Sequence, residues 1–168
     1  MSAIDRFSSA ATAAGATVHT VDRANAAETL EKLVRPPAVG VPLSIDGVSL
    51  PAGVETNPDD EQLRAAITGI TDVPLGIETL GSVVVPSDEA STGPISLFAE
   101  RQVAVIERNN IVEDVESAFS SLGERYRSDS GGNDAVIVTG PSTTGDMGAL
   151  VTGVHGPAEL HLVVIDDE

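Results

Sequence analysis

Two stretches of the C-terminal third concentrate the residues that could do chemistry: Thr139-Gly140-Pro141-Ser142-Thr143-Thr144-Gly145-Asp146 and Gly153-Val154-His155-Gly156-Pro157. Glycines let backbone N–H groups approach a ligand closely, and Ser142, Thr143 and Thr144 add hydroxyl donors. A helix beginning at Thr143 or Thr144 would contribute free N–H groups and a dipole, which together make an anion site. His155, held between Gly and Pro in a tight turn, has the chemistry of a proton donor, a general base or an anion ligand. Asp146 either orients His155 or favours the helix start. The plain alternatives are a turn that only caps a helix and a histidine bonded to a nearby carbonyl. The closeness of the two turns in the chain favours a shared ligand over two unrelated corners.

Other patterns narrow the chemistry. No Lys follows the glycines, so the phosphate loop of nucleotide hydrolases is absent, and so is the G-x-G-x-x-G fingerprint. A Ser142–His155–Asp146 triad can be written, but the G-x-S-x-G elbow is missing. Gly81-Ser82 opens a Val-rich strand after Ile77-Glu78-Thr79, a second place where small residues precede a strand. Glu78 is a candidate acid–base beside it; its plainer reading is a solvent-facing acid in a turn. His19 and His161 are read as outward or locally satisfied, without a function. Three scattered histidines and no cysteine leave no metal set. The missing cysteines also exclude disulfides, protein-held iron–sulfur clusters and a cysteine nucleophile in this chain. No cofactor is named by these residues.

Composition restricts the partners. With 26 acids against 9 bases the chain carries a net charge of −17, and no Lys/Arg cluster exists for a nucleic-acid backbone. Acids are spread over both halves and Lys32 is the lone lysine. That pattern fits a salt-rich cytoplasm, where a Debye length of about 3 Å near molar salt screens self-repulsion. No apolar run approaches the roughly 20 residues of a spanning helix, and Met1 to Phe7 lacks the apolar core of a signal peptide. The expectation is a cytoplasmic protein without membrane insertion.

The elements that must hold these turns read as alternating helices and strands. Ser2 with Asp5 is a capping-box start, with Ile4, Phe7, Ala11 and Ala14 on one face and Gly15 at the end. Thr17 to Val21 is a strand. Asp22 or Asn25 caps a second helix that Pro36-Pro37 stops. Ala38 to Leu43 is strand-like, and Asp46-Gly47 is a turn. Asn57-Pro58 opens a third helix. Ile70 to Val85 holds two strand pieces around Glu78 to Gly81, Ser91 to Pro94 is a loop, and Gln102 to Ile106 is a strand. Asn110 with Glu113 caps a helix whose stripe runs from Ile111 to Leu122, ending at Gly123. Glu124 to Asn133 is a polar loop, Ala135 to Val138 a strand that delivers the first turn, and Leu160 to Ile165 the last strand. This alternation predicts an α/β fold: a single domain over 1–168 with an open, mostly parallel sheet and flanking helices. In such sheets ligands sit at the carboxyl ends of strands, so the turn after Val138 is expected there.

Three of these motifs are similar to those of the LUD-domain (lactate utilization) family, its LutC-like group. Thr139 to Met147 resembles T-G-P-S-[RK]-T-A-D-I-E. Gly153 to Val164 resembles G-V-H-G-P-x-x-L-x-V. Ile77 to Val84 resembles I-A-[ED]-T-G-[ST]-x-V. The basic residue after Ser is Thr143 here, Ala and Glu are replaced by Gly145 and Gly148, and the acid of the third motif is Glu78 or is replaced by Thr79. The resemblance implies a fold like the NagB, RpiA and CoA-transferase group. It also implies a non-iron–sulfur part in oxidising L-lactate to pyruvate, beside iron–sulfur partner proteins. On this reading a small carboxylate or phosphate is held by Gly140, Pro141, Ser142, Thr143, Thr144 and Asp146, by Gly153 and Gly156, and by Gly81 and Ser82. The alternative is an enzyme acting on a phosphorylated or CoA-linked metabolite, with His155 or Glu78 as acid–base. A third is a structural partner whose loops are vestigial, for which the neutral Thr143 speaks.

Overall fold

The computed structural model describes residues 1–87, 91–128, 134–146, 149–153 and 156–167. Helix α1 (Ala3–Ala13) starts as its sequence dictates: the Ser2 side chain accepts from the Asp5 N–H and the Asp5 carboxylate accepts from the Ser2 N–H. Ile4, Phe7 and Ala11 are its buried face. Strand β1 (Thr17–Val21) follows, then α2 (Arg23–Leu33), capped by Asp22, whose side chain accepts from the Asn25 N–H. Strand β2 is confined to Ala38–Gly40; the Val41 N–H still donates to the Ile70 carbonyl, and Pro42 has no N–H to carry the ladder on. After the Asp46-Gly47 turn come β3 (Val54–Glu55) and α3 (Asp60–Ala65). The cap of α3 is Asp59, in a box with Gln62, rather than Asn57. The Asp59 carboxylate accepts from the Gln62 N–H at 2.8 Å and the Gln62 side-chain oxygen accepts from the Asp59 N–H at 2.9 Å.

Strands β4 (Thr68–Asp72), β5 (Leu75–Ile77) and β6 (Ser82–Pro86) divide the Ile70 to Val85 stretch. The segment expected as a loop around Ser91 to Pro94 enters helix α4 (Thr92–Phe98), which buries Thr92, Ile95 and Ser96. Strand β7 (Arg101–Glu107) is followed by a single 3-10 turn and by β8 (Ile111–Val112). Ile111 and Val112 are therefore not the first turn of a helix. They pair with Gly76 and Ile77 of β5, which satisfies their backbone as a ladder does. Helix α5 (Val115–Ser128) starts behind Asp114, whose carboxylate accepts from the Ser117 N–H. Gly123 lies inside α5 instead of ending it; a Cβ there would meet only the tip of Arg127 at 3.8 Å.

The chain ends in β9 (Ala135–Val138), a hairpin of β10 (Thr143–Asp146) and β11 (Ala149–Thr152), and β12 (Glu159–Ile165). The helix expected at Thr143 or Thr144 is replaced by that hairpin. Thr143 pairs with Thr152 and Asp146 with Ala149, so β-branched Thr residues satisfy their backbone across strands.

Six strands form one wholly parallel sheet in the order β1-β12-β7-β4-β2-β3. This is the open sheet with flanking helices that the alternation implied. A second sheet, β8-β5-β6-β9, is mixed. On one face of the parallel sheet, Ala26, Leu30 and Leu33 of α2 cover Ile70, Val103, Val105 and Val163. On the other, Phe7 and Ala11 of α1, with Val83 and Val85 of the second sheet, cover Ala104, Ile106, Leu162 and Val164. Helix α5 packs behind the second sheet on Leu75, Ile77 and Val84. Aliphatic side chains carry this core, each buried one stabilising by about 1.5–3 kcal/mol. No helix among the described residues is long and apolar enough to cross a membrane.

Candidate functional site

Strand β9 is the edge of the second sheet, antiparallel to β6, and not a member of the parallel sheet. The turn after Val138 consequently does not open at the carboxyl ends of the parallel strands, as the βαβ reading expected. It runs to the amino end of β12, where the Ser142 N–H donates to the Pro157 carbonyl at 2.8 Å. A short apolar run identifies a strand but not its sheet; pairing with β6 decides that, and it leaves Val136 and Ile137 of β9 exposed.

Small residues then bring the two turns together. The Ser142 carbonyl accepts from the Gly153 N–H at 2.9 Å. A Cβ on Gly156 would lie 3.1 Å from the Ser142 Cβ and 3.3 Å from its Oγ. Gly153, at φ 76°, has room only because its missing Cβ would stand 2.8 Å from the Ala158 Cβ. Gly140, Pro141, Ser142, Gly153 and Gly156 thus form one corner. Thr143, Thr144 and Asp146 continue from it as β10. His155 lies outside the described residues. The amides of Ser142 and Gly153 hold the turns to each other, and the Ser142 side chain lies half-buried beside Gly156.

Helix α1 is the buttress that sequence reasoning missed. At Gly140, φ is 69° and a Cβ would fall 2.0 Å from the Ala14 carbonyl oxygen. Pro141 rests 3.3 Å from the Cβ position of Gly15. Gly81, φ 61°, comes as close to the helix, its Cβ position lying 2.0 Å from the Ala11 nitrogen. The signal was the run Ala10-Ala11-Thr12-Ala13-Ala14: only a helix surface of small residues admits two backbones at that range. The Gly81-Ser82 motif therefore meets the Thr139-Gly140 motif, and the Ser82 and Thr139 hydroxyls bond at 2.6 Å.

Glu78 is not solvent-facing. It is 6% exposed, and its carboxylate accepts from Arg6 Nε at 2.5 Å. That bond raises the Arg6 guanidinium above its ordinary pKa. Its effect is to pin the Glu78–Gly81 turn on α1, which gives Glu78 a structural partner before any substrate.

A second concavity lies where open parallel sheets usually hold ligands. A crevice of about 260 Å³ at the carboxyl ends of β4 and β7 is lined by Ser44, Asp72, Pro74, Glu107, Asn110 and Arg125. Asp72 accepts from the Ser44 N–H at 2.9 Å, and Glu107 pairs with Arg23 at 2.9 Å. None of these residues stood out in the sequence, because acids at strand ends are common surface groups until a sheet gathers them.

Similarity to other proteins agrees with this architecture. The LUD domain family pattern matches residues 53–165. Lactate utilization protein C 1 of Bacillus mycoides is 29% identical over 107 residues, which are 62% of this chain and 46% of that protein. Lactate utilization protein C of Macrococcus caseolyticus is 28% identical over 105 residues, 61% of this chain and 46% of its own length. The chain thus spans just under half the length of these curated relatives. A DUF162 family protein from Deinococcus radiodurans has a crystal structure that superimposes with a TM-score of 0.74, covering 98% of this chain and 96% of that one at 20% identity. That likeness speaks for the fold. With the family pattern covering most of the chain, and with the glycine-built corner standing inside the matched region, this protein belongs to the LUD domain family.

Proposed function

We propose that this protein is a LutC-like component of a lactate-oxidising system, a single domain over 1–168 that carries no cluster of its own. It holds a small carboxylate or phosphate at the corner of Gly140 to Asp146, Gly153 and Gly156, with the Gly81-Ser82 turn beside it and His155, from the same G-V-H-G-P motif, as the acid–base candidate. Its partners are iron–sulfur proteins, and it works in the cytoplasm. The carrying observation is the meeting of Ser142 with Gly156. Relatives named lactate utilization protein C support the system, and the absence of cysteine suits a division of labour in which partners carry the electrons.

A thermal-shift screen in molar KCl with lactate, pyruvate, sugar phosphates, nucleotides and coenzyme A tests the ligand class. A binder present at about 100 times its Kd stabilises by about 2.7 kcal/mol, a rise of roughly 5–10 °C for a domain of this size. A rise with lactate or pyruvate supports the proposal. A rise confined to coenzyme A or sugar phosphates favours the second reading, an enzyme of the NagB, RpiA and CoA-transferase-like class, for which the carboxyl-end crevice speaks. No rise with any small anion contradicts both.

A further inference from the structure

The chain's two other histidines are partners. On the α2-covered face of the parallel sheet, His19 of β1 and His161 of β12 stack with ring centroids 5.4 Å apart, and His19 Nε2 lies 3.1 Å from His161 Nδ1. The other nitrogen of His161, Nε2, lies 3.3 Å from the Glu159 carboxylate. A carboxylate only accepts, so Nε2 carries the proton and the neutral His161 offers a lone pair at Nδ1. The His19 Nε2–H donates to it. Glu159 is itself fixed by Arg101, at 2.7 and 2.5 Å, and by Arg35 at 3.1 Å. Arg101 is buried, and its remaining nitrogen donates to the Leu33 carbonyl at the end of α2. The charged groups that α2 itself carries here, Glu28, Glu31 and Lys32, are exposed, and Glu28 pairs with Lys32. Two guanidinium groups therefore face one carboxylate around two imidazoles.

The hydrogen-bond chain has room for one added proton. Placed on His19 Nδ1, it strengthens the bond to His161. A second, on His161 Nδ1, sets N–H against N–H beside two guanidinium groups and breaks the link. Among the described residues, strand β1 is the edge of the sheet and pairs with β12 alone. Through Gly15 it continues α1, the helix on which Gly81, Gly140 and Pro141 rest.

We propose that Glu159, His161 and His19 form a proton-sensitive clasp of β1 on β12, released when the second proton enters, and that its release loosens α1 and the Gly81 and Gly140–Ser142 turns resting on it. The regulatory consequence rests on that corner being the ligand site; the clasp does not. Burial holds both rings below the ordinary histidine pKa, helped at His19 by His161 and Arg101 and opposed at His161 by Glu159. A base with a lowered folded pKa leaves stability intact above its unfolded value of about 6.5 and removes it as pH falls through the folded value.

Amide hydrogen exchange at pH 7.5 and 5.0 in molar KCl, corrected for intrinsic rates, tests this. Protection of residues 17–21 should fall about ten-fold on acidification, with a parallel fall at 139–142. His19→Gln and His161→Gln, which bond without titrating, should flatten both changes. Ring 15N shifts of the unaltered protein give an independent reading: His161 should keep its Nε2–H tautomer at neutral pH. Unchanged protection at residues 17–21, an equal fall in both variants, or two rings titrating independently at the ordinary value would each overturn the clasp. Loosening of 17–21 with 139–142 unmoved would overturn its link to the corner.

Discussion

At the scale of single residues, glycine geometry is the firmest part of this account. Gly140 combines a left-handed φ of 69° with a backbone oxygen 2.0 Å from the place of a Cβ. Gly140→Ala should therefore destabilise by about 3 kcal/mol, from unfavourable φ plus displacement of α1, as read by urea denaturation. Gly93→Ala is the control: nothing stands within 4 Å of a Cβ there and φ is unremarkable, so the change should be near neutral. The turn glycines were legible from sequence because Gly beside Pro or Ser names a turn with its own physical reason. Glu78 was not. Its neighbours in sequence are ordinary, and its partner Arg6 lies 72 positions away. The histidine pair hid for the same reason, since residues 19 and 161 meet only when β1 and β12 pair.

At the scale of elements, caps were readable and partners were not. Ser2 with Asp5 and Asp22 announce α1 and α2 through a side chain that bonds the first turn, which is local chemistry. The hydroxyl-rich run from Thr143 is equally local, yet it pairs with Ala149 to Thr152 because cross-strand pairing outweighs its capping potential. Ile111 and Val112 fit a helical stripe but belong to β8, because β5 offers them a ladder. Helix α1 is the element on which the Gly81 and Gly140 turns both rest. Phe7, fully buried beneath it, is its main anchor. Phe7→Ala should cost about 3–5 kcal/mol and raise hydrogen exchange at 78–82 and 139–142 together. A stable Phe7→Ala protein with unchanged exchange at both turns would show that they do not depend on α1.

At the scale of the whole molecule, charge and topology set the conditions. A charge of −17 with aliphatic residues filling the core should make stability depend on screening. The melting temperature should rise between 50 mM and 2 M KCl, and no change would count against adaptation to a salt-rich interior. The open parallel sheet was legible in the alternation of helices and strands, because βαβ spacing leaves few ways to bury both faces. That β9 leaves this sheet for the second one was not legible, and it moves the candidate site from the carboxyl ends of the parallel strands to the amino end of β12. Two places are therefore candidates for the ligand, the glycine corner at Ser142 and Gly156 and the crevice at Asp72 and Glu107. Backbone amide shift mapping, with whichever anion stabilises the protein most, distinguishes them directly. The corner predicts that residues 140, 142, 143, 153 and 156 shift together and saturate at one Kd, while Ser44, Asn110 and Arg125 stay still. Shifts confined to Ser44, Asn110 and Arg125, or to one of the two turns alone, would contradict it.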